Sequence, residues 1–131
     1  MAKILVADDD DLLCEVLRFK LENMGHTVLV VTDGATALTS ARNEEFDVLI
    51  LDSMMPALSG MEVLQSLKSD PATSKLPVIM LTARRSEDDV VRALRAGAAD
   101  YLTKPFMPEE LSLRIATVLA SRRPDDSHAN S

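Results

Sequence analysis

Four consecutive aspartates, Asp8 to Asp11, follow directly on the apolar run Ile4 to Ala7. Three other polar residues stand in the same relation to an apolar run: Asp52 after "DVLIL", Thr82 after "PVIML" and Lys104 after "DYLT". If those run ends meet, three carboxylates (Asp8, Asp9, Asp52), a hydroxyl and an ammonium converge. Two unit charges about 5 Å apart at an effective dielectric near 20 repel by roughly 3 kcal/mol, so three crowded carboxylates require a cation. Lys104 alone does not neutralise them. A hard divalent ion does, and Mg²⁺ suits one or two carboxylates, a carbonyl, several waters and a phosphate oxygen. A carboxylate so placed is able to attack phosphorus in line, with catalysis by positioning and charge stabilisation, to give an aspartyl phosphate.

Each residue also has a plainer reading. Asp10 and Asp11 suit the first turn of a helix, where acidic groups oppose the helix dipole, and that reading is preferred for them. Taken alone, Thr82 would be a cap or turn residue, Tyr101 a half-buried strand aromatic and Lys104 a solvated surface charge. Asp8 and Asp9 are read as metal acids because Asp52 and Lys104 arrive at the same edge. Cys14 lies among Leu13, Val16 and Leu17 and reads as a small core residue.

The elements that must bring these ends together are short apolar runs alternating with segments of helical period. The runs are Lys3 to Ala7, Thr27 to Val31, Asp47 to Leu51, Pro77 to Leu81 and Tyr101 to Thr103. They are rich in Val, Ile and Leu and lack polar alternation, which predicts strands covered on both faces. The expected fold is α/β: βα units building a five-stranded parallel sheet flanked by helices, doubly wound and flavodoxin-like. Parallel strands share a C-terminal edge, where such folds place their sites. In the first helix Leu13, Val16, Leu17 and Met24 are expected on the apolar face, with Gly25 ending it in the left-handed region. The fourth helix is expected to open on Ser86 and Asp89, the fifth on Pro108, Glu109 and Glu110 and to close on Arg122 and Arg123.

At 131 residues and 47% hydrophobic content the chain suits one domain, residues 1–123, with a polar tail, 124–131, expected to be disordered. A net charge of −7 argues against direct nucleic-acid binding. No apolar run has the length of a membrane span, and the expected location is cytoplasmic.

The segments "ILVADDD", "DVLILDSMMPALSG", "PVIMLTAR" and "GAADYLTKPF", in this order and spacing, resemble the receiver domain of bacterial two-component response regulators over Lys3 to about Ser121. The resemblance implies that Asp52 is the phospho-acceptor and that Asp8, Asp9, Asp52 and the Met54 backbone carbonyl hold Mg²⁺. It makes Thr82 the switch hydroxyl, Tyr101 the switch aromatic and Lys104 the partner of the phosphoryl group, before a typically cis Lys104–Pro105 bond. Met54 and Arg84 would flank the water path and set the phosphoryl lifetime. Ala7, Ser53 and Ala57 depart from the family pattern, where a larger aliphatic, a branched aliphatic and a glycine are usual.

His26 and His128 lie away from the strand ends, so the implied donor is another molecule: a phosphohistidine of a sensor histidine kinase or histidine phosphotransfer protein. The implied output is the face of the fourth helix, fifth strand and fifth helix, with Val90, Ala93, Tyr101 and Arg114. It would contact a downstream protein or form a weak homodimer, since Asp100 and Arg114 match a charge pair used there but Val90 replaces a basic residue. No further domain fits after Arg123, so the expectation is a single-domain regulator or an excised receiver. An aspartate-nucleophile phosphohydrolase would place a second acid two residues after Asp52, where Met54 stands. A flavin module would place a phosphate-binding loop where the four aspartates are.

Overall fold

The computed structural model describes residues 1–83 and 87–121. Arg84, Ser86, Arg122, Arg123 and the tail 124–131 lie outside the described residues.

Five strands, β1 (Lys3–Ala7), β2 (Thr27–Val31), β3 (Val48–Asp52), β4 (Val78–Thr82) and β5 (Asp100–Thr103), alternate with five helices. The helices are α1 (Asp11–Asn23), α2 (Gly34–Asn43), α3 (Gly60–Ser69), α4 (Glu87–Arg95) and α5 (Pro108–Ala120). The strands form one parallel sheet in the order β2-β1-β3-β4-β5. Strand residues alternate between two faces, and each face meets its own helices. Leu5, Leu49, Leu51, Val78 and Met80 pack with Leu38, Leu64, Leu67 and Ala93 from α2, α3 and α4. Ile4, Val6, Ile50, Ile79 and Leu81 pack with Cys14, Leu17 and Leu21 of α1 and with Leu111 and Ile115 of α5. Every residue of β3 and β4 is buried, so these runs carry no polar alternation.

β3 and β4 begin and end one residue later than the sequence expectation, and β5 begins one residue earlier, at Asp100. Asp47 is a turn residue whose carboxylate accepts the Lys3 backbone N–H at 2.7 Å. Asp52 and Thr82 are therefore the last residues of their strands, in register with Leu81 and Thr103. Asp10 caps α1, its side chain accepting the Leu13 N–H at 3.1 Å, and Asp11 occupies the first turn, as expected. Gly25 has φ +94°, also as expected. The buried face of α1 differs from the expected one. Cys14, Leu17 and Leu21 face the core, whereas Val16 and Met24 are 42% and 49% exposed, because the 3.6-residue period turns them away. Ala93 also points into the core rather than onto the outer surface. Pro108 opens α5, with Glu109 and Glu110 in its first turn.

Candidate functional site

The C-terminal ends of β1, β3, β4 and β5 bring the sequence-predicted residues to one edge. Asp8 immediately follows β1 and is fully buried, Asp52 is 5% exposed, and Asp9 is exposed. One carboxylate oxygen from each of Asp8, Asp9 and Asp52 lies within 4.8 Å of the others. Lys104 Nζ reaches in from beyond β5, donating to Asp8 Oδ2 at 2.8 Å and to Asp52 Oδ1 at 3.4 Å. The Lys104–Pro105 peptide is cis. Asp8 is fixed further by the Asp10 backbone N–H, which donates to its Oδ1 at 2.9 Å. Thr82, 1% exposed, ends the neighbouring strand.

Electrostatics follow from this crowding. Burial, then the Asp8 charge, pushes the Asp52 carboxyl above its ordinary value, and Lys104 with the Met54 backbone N–H offsets this only in part. Burial works against the Lys104 ammonium, but its hydrogen bond to Asp8 and the charges of Asp8 and Asp52 outweigh that and hold its pKa above the usual lysine value. Hard oxygen donors at this spacing fit a hard divalent cation with room for water, and Asp8, Asp9 and Asp52 are the side chains able to hold it.

The loop after Asp52 turns back on itself. Ser53 N–H donates to the Leu81 carbonyl at 2.8 Å and Gly60 N–H to the Ser53 carbonyl at 3.0 Å. A Cβ on Gly60 would collide with the Asp52 carbonyl oxygen, so only glycine lets α3 begin this close to Asp52. Ala57 takes φ +74° within the same loop. Met54 is 61% exposed, and Tyr101 is half-buried. Both line a cavity of about 250 Å³ with Ser53, Met61, Met80 and Thr82. Arg84 lies outside the described residues.

Some contributors were not singled out from sequence. Ser59 and Glu62 form a reciprocal capping box at the start of α3, a pattern readable from "SGME". Cys14, buried as expected, donates its thiol to the Asp8 carbonyl at 3.2 Å, and burial with the neighbouring aspartates pushes that thiol up to about 11. It supports Asp8 and is no nucleophile. Ser53 was noted in the sequence only as a departure from the family pattern, and neither the burial of its hydroxyl nor the cavity carries a sequence signal. His26 accepts the Ala2 N–H at 3.0 Å just before β2, at the opposite edge of the sheet from Asp52. On the outer face Arg114 Nη1 donates to both oxygens of Asp100, at 3.2 and 3.1 Å.

The sequence matches the response regulator receiver domain family over residues 4–116. It is 41% identical over 117 residues to the alkaline phosphatase synthesis transcriptional regulatory protein PhoP of Bacillus subtilis, covering 89% of this chain and 48% of that protein. The chain spans about half the length of the curated relatives it matches. Among solved structures, the receiver domain of the Francisella response regulator 1452 superposes with a TM-score of 0.89 at 35% identity, covering 94% of this chain and 100% of that one. The receiver domain of the sensor histidine kinase PA1611 from Pseudomonas aeruginosa, solved with a magnesium ion coordinated in its active site cleft, gives 0.83 at 29% identity, covering 91% and 98%. The fold, the convergent strand ends and these matches together make the chain a member of the response regulator receiver domain family, the phosphorylation module of two-component signalling.

Proposed function

We propose that this receiver takes a phosphoryl group from a partner phosphohistidine onto Asp52, with residues 1–123 forming the domain. The observation that carries the reading is the buried Asp52 carboxylate at the end of β3, with acid oxygens of Asp8 and Asp9 within 4.8 Å and the Lys104 ammonium 3.4 Å away. In the transfer the phosphorus–nitrogen bond of the donor breaks, an Asp52 oxygen–phosphorus bond forms, and the imidazole leaves and takes up a proton. Asp8, Asp9, Asp52 and the Met54 backbone carbonyl would hold Mg²⁺, which would supply positive charge to the phosphoryl oxygens. Lys104 is held mainly by Asp8 in this form and is within reach of the new oxygens. Thr82 then donates to one of them, a charge-assisted hydrogen bond. Tyr101, on the rim of the cavity beside Thr82, turns into the space this leaves. Met54 and Arg84 set the lifetime of the phosphorylated state.

The donor is a sensor histidine kinase or histidine phosphotransfer protein, in the cytoplasm. Among the described residues no helix is long and apolar enough to cross a membrane. The output face of α4, β5 and α5 exposes Val91, Leu94 and Leu113, which suits a downstream protein. Asp100 and Arg114 pair within the chain, so their charges are already satisfied and a homodimer through this face is weak. Multiple turnover on phosphate esters is disfavoured, because Met54 stands where a leaving-group acid would be needed. The chain itself is read as making no direct nucleic-acid contact, given its acidic balance.

Intact mass after incubation with a small acyl phosphate tests the reading. One phosphoryl group is expected with Mg²⁺, none with chelator and none on Asp52→Asn. Equal phosphorylation with chelator, or modification still at residue 52 in the variant, would overturn the assignment.

A further inference from the structure

Among the described residues, the Ser53 side-chain oxygen is buried and makes no hydrogen bond. Solvent does not reach it to make up the loss, and a buried hydroxyl left unmade in one state is accounted for most simply by a partner that arrives in another. Its position indicates which partner. Asp52 is in register with Leu81 on the adjacent strand, and the Ser53 N–H continues the ladder onto the Leu81 carbonyl at 2.8 Å. Ser53 therefore stands beside Thr82, the next residue of β4. In-register neighbours of parallel strands share a face, and both residues line the same cavity with Met54, Met61 and Met80. Neighbouring strands stand about 5 Å apart, so hydroxyls in register on one face are within hydrogen-bonding reach when both rotamers turn toward each other.

We propose that Ser53 is a positioning residue for the switch: when Thr82 swings toward a phosphoryl group on Asp52, the Ser53 hydroxyl donates to Thr82 Oγ1. This rests on the reading of Asp52 and Thr82 given above. Because β3 is the strand that carries Asp52, motion of Thr82 toward the acceptor is also motion toward Ser53. The Thr82 hydroxyl has one proton, which goes to the phosphoryl oxygen, and its oxygen is able to accept as well as donate. The result is a chain from Ser53 to Thr82 to the phosphoryl group, in which each bond polarises the next. The flexible methionines of the cavity wall accommodate the small shift it needs. An aliphatic residue at position 53 would pack there but could not donate.

The test uses beryllofluoride with Mg²⁺ as the phosphoryl mimic and titration calorimetry on four proteins: wild type, Ser53→Ala, Thr82→Ala and the double variant. Ser53→Ala is expected to weaken beryllofluoride binding by up to about ten-fold, the upper size of one net hydrogen bond between neutral hydroxyls. The same change in the Thr82→Ala background is expected to weaken it less than two-fold, since its acceptor is gone. The melting temperature of the unliganded protein should stay level or rise in Ser53→Ala, because an unmade bond is removed. Unchanged affinity in Ser53→Ala, a loss that persists at full size without Thr82, or a lowered unliganded melting temperature would each overturn the proposal. Failure of the wild type to bind the mimic would overturn the Asp52 reading itself, and this inference with it.

Discussion

Replacing the acceptor by its neutral isostere, Asp52→Asn, should stabilise the protein when no divalent cation is present. Acid oxygens of Asp8 and Asp9 lie within 4.8 Å of Asp52, and Lys104 Nζ lies 3.4 Å away. At an effective dielectric near 20 each repulsion is about 3.5 kcal/mol and the attraction about 5 kcal/mol, leaving a net cost of about 2 kcal/mol before burial adds to it. Asp9 is exposed and its share is screened, so the expected gain is about 1–3 kcal/mol, or roughly 3–10 °C in melting temperature for a chain of this size. The sign follows from linkage. A carboxyl whose pKa is raised in the folded state contributes stability at low pH that is lost as pH rises through the folded value. The stability gap between variant and wild type should therefore open as pH rises through the raised Asp52 pKa and close in acid. Urea melts in chelator at pH 7 and in acid measure it, and adding Mg²⁺ should narrow the gap by stabilising the wild type more. An Asn variant no more stable than wild type at pH 7 in chelator, or a gap of the same size in acid, would refute the reasoning.

Gly60→Ala should cost about 1–3 kcal/mol and weaken Mg²⁺ binding, read by urea melts and by titration calorimetry, because its Cβ would press on the Asp52 carbonyl oxygen. Ala57→Gly should stabilise by about 0.5–1 kcal/mol in the same melts, relief of a left-handed backbone outweighing the added freedom of the unfolded chain. Met54→Asn should shorten the phosphorylated half-life several-fold, followed as decay of the phosphorylated mass after donor removal, since the amide is able to hold a water that the exposed thioether is not. An equal or longer half-life would show that water access is not governed from residue 54.

The fold was legible because a parallel sheet covered on both faces leaves uninterrupted apolar runs such as "VLIL" and "VIML", with few other readings at that length. The positions of Asp8, Asp52 and Lys104 were legible for the same reason: each closes such a run, and parallel strands end together. Helix faces were harder. Leu13, Val16 and Leu17 are all apolar, and only the direction from which β1 and α5 approach α1 decides that Cys14, Leu17 and Leu21 turn inward. The pairing of Lys104 was legible only in outline, since its closer contact in this form is Asp8 at 2.8 Å and not the acceptor. The left-handed Ala57 was signalled only indirectly, by its standing where the family usually has glycine, and the unpartnered Ser53 hydroxyl depends on how one loop closes over Gly60.

Asp8 and Lys104 form their hydrogen bond across 96 positions of sequence, and the strands that hold them are separated in the sheet by both β3 and β4. A nascent chain that has emerged only through β4 has the acceptor and its acids but lacks the lysine, and a chain missing β1 lacks the acids. On the reading of Asp52 proposed above, the full set of groups that would face a phosphodonor is assembled only when the first and last strands have both joined the sheet. Incomplete or misassembled copies would lack that set, which on the same reading ties the ability to receive a signal to completion of the fold.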